Sequence, residues 1–203
     1  GDVAALATAG AVYLAPMVFK WNEHLPSCGS PTPCDPATLP GVDRWALTGV
    51  RPRWDDVSTV LLVAGAVGVW SAEADGGALG RARLVASLEA ASWAAASSEM
   101  IKVAVARKRP VLYSSGSFIV AADMDNQRSF PSTHAAIAFA LATSYALDRG
   151  ALGQTKDRAI ALFILATGVG ALRVVAGKHF PTDVAAGAAL GVTNALVVHV
   201  IKF

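Results

Sequence analysis

Residues 159–184 read AIALFILATGVGALRVVAGKHFPTDV. From 159 to 176 the stretch is apolar apart from Thr167 and Arg173, close to the ~20 residues a helix needs to cross a bilayer. Gly177 is placed to terminate that helix. His179 lies in the short connection that follows. Pro181 suits the first turn of a second helix, since its fixed φ is already helical and its missing N–H has no partner there to lose. The stretch therefore reads as membrane helix, tight corner, membrane helix.

Working outward, five further apolar segments run roughly over 3–19, 57–72, 82–101, 134–147 and 182–201. They are rich in Ala and Gly, which lets helices approach closely in a bundle. No run alternates as strands would. The chain has 203 residues, 54% hydrophobic and 16% charged, with a mean hydropathy of +0.46. A soluble domain carries about 25% charged residues, so the composition leans to the membrane. The expected fold is all-α: one domain over 1–203, a six-helix transmembrane bundle with a long first extracytoplasmic loop. Trp21, Trp54 and Trp70 sit at segment ends as an interfacial belt would. Within the first loop, DRWALTGVRPRWDD (43–56) reads as a short amphipathic piece along the membrane surface. The net charge of +2 is too small to suggest a nucleic-acid partner.

Cys28 and Cys34 stand in SCGSPTPCDP, without a metal-site partner nearby. A short disulfide loop on an oxidising side of the membrane is expected. The chain begins at Gly1 without an initiator Met, which leaves room for a preceding leader. If all six segments cross, the loops after the first, third and fifth share one face. That face holds both cysteines, Lys102 through His134, His179 and Asp183. Arg81, Arg83, Arg149, Lys156 and Arg158 fall on the other. A disulfide places the first face outside the cytoplasm.

Three short stretches carry the chemistry. In KVAVARKRP (102–110), Lys102 and Arg109 are seven residues apart. On a helix they share a face about 10 Å apart along the axis, and Pro110 ends the helix. Such a pair suits an oxyanion, and equally an anionic lipid head group. In SFPSTHAAIAFALA (129–142), Ser132 is a good N-cap for a helix starting near Thr133, and a helix N-terminus attracts anions. His134 lies in its first turn. In LRVVAGKHFPTDV (172–184), Asp183 follows His179 by four residues, close enough to accept from its ring, fix the tautomer and leave the other nitrogen free to attack.

In this order the pattern K-x6-R-P, P-S-x-H and R-x5-H-x3-D resembles the type 2 phosphatidic acid phosphatase superfamily over residues 102–183. That superfamily includes bacterial acid phosphatases, lipid and polyprenyl phosphate phosphatases and vanadium haloperoxidases, and the six-segment layout resembles its integral-membrane branch. The resemblance implies that His179 is the nucleophile, forming a phosphohistidine, with Asp183 orienting it. It implies that His134 protonates the leaving oxygen and then activates water. Lys102, Arg109 and Arg173 would hold the phosphoryl oxygens, with the Ser132 hydroxyl and the Thr133 amide. Three cations supply the charge stabilisation that phosphoryl transfer needs, so no metal and no cofactor is expected. The sequence departs from the family at Thr133, usually glycine, and at Leu172, usually serine.

Glu99, three residues before Lys102, is placed to pair with it. Glu89 is expected to face the bundle interior. Arg107 and Lys108 read as contacts to lipid heads or solvent, and Asp123, Asp125 and Asn126 as a solvated loop. The expected protein is a phosphatase of a lipid phosphate monoester or pyrophosphate. It would sit in a bacterial cytoplasmic membrane, with its site facing the periplasm or exterior and the bilayer and a lipid phosphate as its partners. A lipid phosphotransferase, a vanadate-dependent peroxidase, an inactive lipid-phosphate binder and a secreted soluble acid phosphatase are the alternatives.

Overall fold

The computed structural model describes residues 1–21, 28, 32–74, 77–114, 123–150 and 156–203. Among them every regular element is helical. Six long helices carry the fold: α1 (Asp2–Val18), α3 (Pro52–Ala74), α4 (Gly77–Val105), α5 (Thr133–Gly150), α6 (Lys156–Val175) and α7 (Pro181–Lys202). A one-turn helix, α2 (Gly41–Arg44), sits in the first connection. The expected surface piece over 43–56 is split. Its first residues close α2, while Pro52, Arg53, Trp54 and Asp55 open α3. Pro52 suits a first helical position, and Asp55 opposes the dipole in the first turn.

Three helices, α3, α6 and α7, are long and apolar enough to cross a membrane, with mean hydropathies of 1.6, 1.8 and 1.9. α1 is apolar but has only 17 residues. Among the described residues, length and composition alone thus support three of the six expected crossings. The reason is where the polar residues went. α4 is long at 29 residues, yet it buries Ser87, Glu89, Ser98, Glu99 and Lys102. All but Lys102 meet partners on other helices: Ser87 donates to Glu73 at 2.7 Å, and Lys202 to Glu89 at 2.8 Å. An ionisable group inside such a bundle is tolerated when it is paired in this way.

The packing is inverted relative to a water-soluble domain. Val60 on α3, Ile164 on α6 and Val200 on α7 point outward, 65%, 67% and 79% exposed. The interior between α4, α5 and α7 is built on Ala86, Ala90, Ala94, Ala136, Ala140 and Ala195. α7 also presents Gly187 and Gly191 to α5. A Cβ at Gly191 would lie 2.1 Å from the Ala136 carbonyl oxygen, and one at Gly187 2.4 Å from that of Ser132. These two glycines, spaced by four, let the backbones touch as small residues do between membrane helices. The contact brings the start of α5 against the start of α7, where the Ser132 N–H donates to the Asp183 carbonyl at 2.9 Å.

The first connection folds over the same end. Cys28 and Cys34 are joined in a disulfide. The Cys34 N–H donates to the Leu112 carbonyl at 2.9 Å, and Cys34 packs with Val111 and Leu112. Arg51 N–H donates to the Ala176 carbonyl at 3.0 Å. Gly177 has φ +70, and a Cβ there would lie 2.6 Å from the Gly49 carbonyl oxygen. Left-handed backbone and close approach both call for glycine at this corner. The connections after α1, α4 and α6 therefore meet at one end of the bundle.

Candidate active site

α4 delivers the first cation. Lys102 is buried in its last turn and donates to Glu99 at 2.6 Å, the pairing expected from their spacing. Arg109 is not on that helix. α4 stops at Val105, Ala106 takes φ +48, and Arg109 is extended at φ −75, ψ 158. The shared helical face expected for Lys102 and Arg109 is thus replaced by a break at Ala106, a left-handed residue that costs roughly 1 kcal/mol. The break lets three consecutive basic residues take separate directions. Arg109 is 3% exposed. One of its nitrogens donates to Asp125 at 2.6 Å, while Nε and Nη1 are buried without a hydrogen-bond partner.

Arg107, whose place in the basic run suggested solvent or lipid heads, is half-buried and committed to two buried carboxylates. It donates to Asp183 at 2.5 Å, to Asp43 at 2.7 Å and to Thr182 at 2.7 Å. Its guanidinium also lies 4.4 Å above the Phe180 ring, a cation–π contact. Burial opposes its charge, but the bonds to Asp43 and Asp183 outweigh it and hold the group more firmly protonated than usual. Asp43 is fully buried and also accepts from the Thr182 N–H at 3.1 Å. Asp125 is exposed, as the sequence suggested, and is also the partner of Arg109.

α5 starts against these groups. Ser132 is buried, and its hydroxyl accepts weakly from the Ala135 N–H at 3.5 Å, as an N-cap does. The Thr133 hydroxyl is committed to α4, 2.9 Å from Ser98 and 3.0 Å from Glu99. The Thr133 hydroxyl thus joins the Lys102–Glu99 pair. His134 Nε2 lies 3.2 Å from the Thr59 hydroxyl of α3. On α6, Arg173 donates to Asp55 and, at 3.2 Å, to Ser58. Its Nε is buried and unpartnered.

His179 is 1% exposed, and its Nδ1 lies 2.7 Å from the Ser129 carbonyl oxygen. A carbonyl only accepts, so Nδ1 carries the proton and the Nε2 lone pair is free. The expected bond from His179 to Asp183 is absent: Nδ1 stands 3.8 Å from the carboxylate. Asp183 instead accepts from the Ser129 hydroxyl at 2.5 Å and from the Phe180 N–H at 2.8 Å. It holds both residues that frame the histidine, and the tautomer is set one step removed. Burial, then the charges of Arg109, Arg173 and Lys102, hold the imidazole pKa well below its usual value. The ring is therefore neutral and available to attack.

The structure thus gathers the predicted residues around His179. It adds Asp43, Asp55, Ser58, Thr59, Arg107 and Ser129, which the motifs did not name. One signal for part of this set was visible: Asp55, Ser58 and Thr59 share one face at the start of an otherwise apolar helix. Nothing distinguished Arg107 from its basic neighbours. Among the described residues no group of His, Cys, Asp and Glu is arranged to hold a metal ion.

A family model described as the PAP2 superfamily matches residues 83–203, and the chain belongs to that superfamily, the type 2 phosphatidic acid phosphatases. The family implies phosphatase-type activity on phosphate esters. No curated protein and no solved structure is significantly similar to the chain.

Proposed function

We propose that this protein hydrolyses a lipid phosphate monoester or pyrophosphate at the extracytoplasmic surface of a membrane, through a phosphohistidine. The carrying observation is the pairing of a neutral His179 with buried guanidinium N–H groups on Arg109 and Arg173, where among the described residues neither the His179 Nε2 nor those N–H groups has a hydrogen-bond partner. Unpaired buried donors are costly, and a phosphoryl group supplies the missing acceptors. In the first step Nε2 of His179 bonds to phosphorus, the bond to the leaving oxygen breaks, and that oxygen takes a proton from His134. In the second, water attacks phosphorus, His134 takes the water's proton, and the bond to His179 breaks. Lys102, Arg109 and Arg173, with the Ser132 hydroxyl and the Thr133 amide, stabilise the equatorial oxygens.

The lipid assignment is supported by the apolar outer faces of α3, α6 and α7, which would keep a substrate's tail in the bilayer beside the site. The extracytoplasmic side is supported by the disulfide at the same end of the bundle as His179, since disulfides persist in oxidising compartments. The test is phosphate release from phosphatidic acid, phosphatidylglycerophosphate, a polyprenyl pyrophosphate and lipid A, wild type beside His179→Ala. Release from at least one, lost in the variant and blocked by vanadate, is expected. Release that survives the substitution removes His179 as nucleophile.

A further inference from the structure

The residue that touches His134 comes from outside the matched region. Thr59, on α3, has its hydroxyl oxygen 3.2 Å from Nε2. A hydroxyl has a single proton, and that of Thr59 is donated to the Asp55 carbonyl one turn back at 3.1 Å. Toward the imidazole Thr59 is then an acceptor, so Nε2 carries a hydrogen. Nδ1 of His134 makes no hydrogen bond among the described residues. The same face of α3 sends Ser58 and Asp55 to Arg173, so this helix is fixed against the site at more than one point.

We propose that Thr59 is a positioning residue for the acid–base histidine: by accepting from Nε2–H it holds the ring so that the Nδ1 proton is the one handed to the leaving oxygen. This rests on the reading of His134 as the acid. In the step concerned His134 starts as the imidazolium, its second proton taken up at Nδ1 from the monoprotonated phosphate ester; that Nδ1–H bond breaks as the oxygen–phosphorus bond breaks, and the proton ends on the departing alcohol. His134 is left neutral, its remaining hydrogen on Nε2 and still bonded to Thr59. A branched hydroxyl residue suits this task, because its χ1 is stiff and its acceptor is held in place.

The test compares kcat/KM for two substrates in detergent micelles, hexadecyl phosphate and p-nitrophenyl phosphate. An alkoxide needs a proton to leave, whereas p-nitrophenolate leaves without one. Thr59→Val should lower kcat/KM for hexadecyl phosphate about 10-fold, a part of what general acid catalysis is worth. The value for p-nitrophenyl phosphate should stay within about twofold, and Thr59→Ser should restore most of the loss. In a His134→Asn background Thr59→Val should cost nothing further, because the two residues act as a unit. An equal loss on both substrates, no loss on either, or an undiminished loss in the His134→Asn background overturns the proposal. The parent reading fails separately, through an active His179→Ala variant.

Discussion

Lys102, Arg109, Arg173, His134 and His179 all come from the chain after residue 83, whereas Asp43, Asp55, Ser58 and Thr59 come before it. The later part carries the groups that would act on a phosphate. The earlier part carries groups that balance or aim them: Asp43 on Arg107, Asp55 and Ser58 on Arg173, Thr59 on His134. The two parts share one end of the bundle but differ in what their residues must match. A phosphoryl group has a set geometry, so the cations and histidines that meet it recur at set spacings. A counter-ion needs only to arrive, and loop 32–51 or helix α3 can bring it from any register. Motifs therefore record the first part and are silent on the second.

The comparison breaks most severely if the acting groups are removed. His179→Ala should lower phosphate release by roughly 10³-fold or more, measured as inorganic phosphate. The same residue offers a pH test. Its folded pKa is depressed, so the unfolded chain binds the proton more readily. Its neutral form contributes stability in full above the unfolded value near ~6.5, and that stability is lost as pH falls toward the folded value. Thermal melting in detergent should therefore fall below about pH 6.5, and His179→Gln should flatten that slope. Arg109→Gln should cost about 10²-fold in kcat, the scale of losing one donor to the developing charge. Vanadate inhibition should weaken alongside.

Removing the balancing groups should act on stability and affinity before chemistry. Asp43→Ala leaves Arg107 half-buried with one carboxylate fewer, and should destabilise the fold by about 3 kcal/mol, read as a lower Tm. Asp55→Asn should do something different, because its partner Arg173 also faces the phosphate. Freed of that competitor, the guanidinium should bind vanadate several-fold more tightly, about 1 kcal/mol, seen as a lower inhibition constant. The smallest effect on activity is expected at the disulfide. Cys34→Ser opens a loop with a sequence separation of 6, so it should cost about 2 kcal/mol, with kcat nearly unchanged. A larger loss of activity there would mean that the first connection aims the site as well as covering it.

Much of the fold was legible at particular residues. Gly177 and Pro181 marked the corner between α6 and α7, because a left-handed stop and a proline start are local backbone requirements. The start of α5 was legible from Ser132 for the same reason. The end of α4 was not. Its helical pattern ran on toward Pro110, and the break at Ala106 serves contacts far away in sequence, from Arg107 to Asp43 and Asp183. Only three crossings stand out among the described residues on length and composition, because a segment with Glu89, Glu99 and Lys102 inside it is apolar only on average.

By itself the sequence determined the helices' apolar surfaces, the order of the three motifs and the residues proposed as nucleophile, acid and cations. All of these are properties of short stretches, set by periodicity, turn chemistry and residue type. Only the tertiary structure decided which group fixes each histidine. Asp183 was placed by spacing to bond His179, yet the Ser129 carbonyl takes that bond and Asp183 holds Ser129. The motifs name no partner for His134, yet Thr59 reaches it from another helix. A hydrogen bond is decided within a few tenths of an ångström. Packing such as the Gly191 contact with Ala136 sets positions at that scale, and spacing along the chain does not.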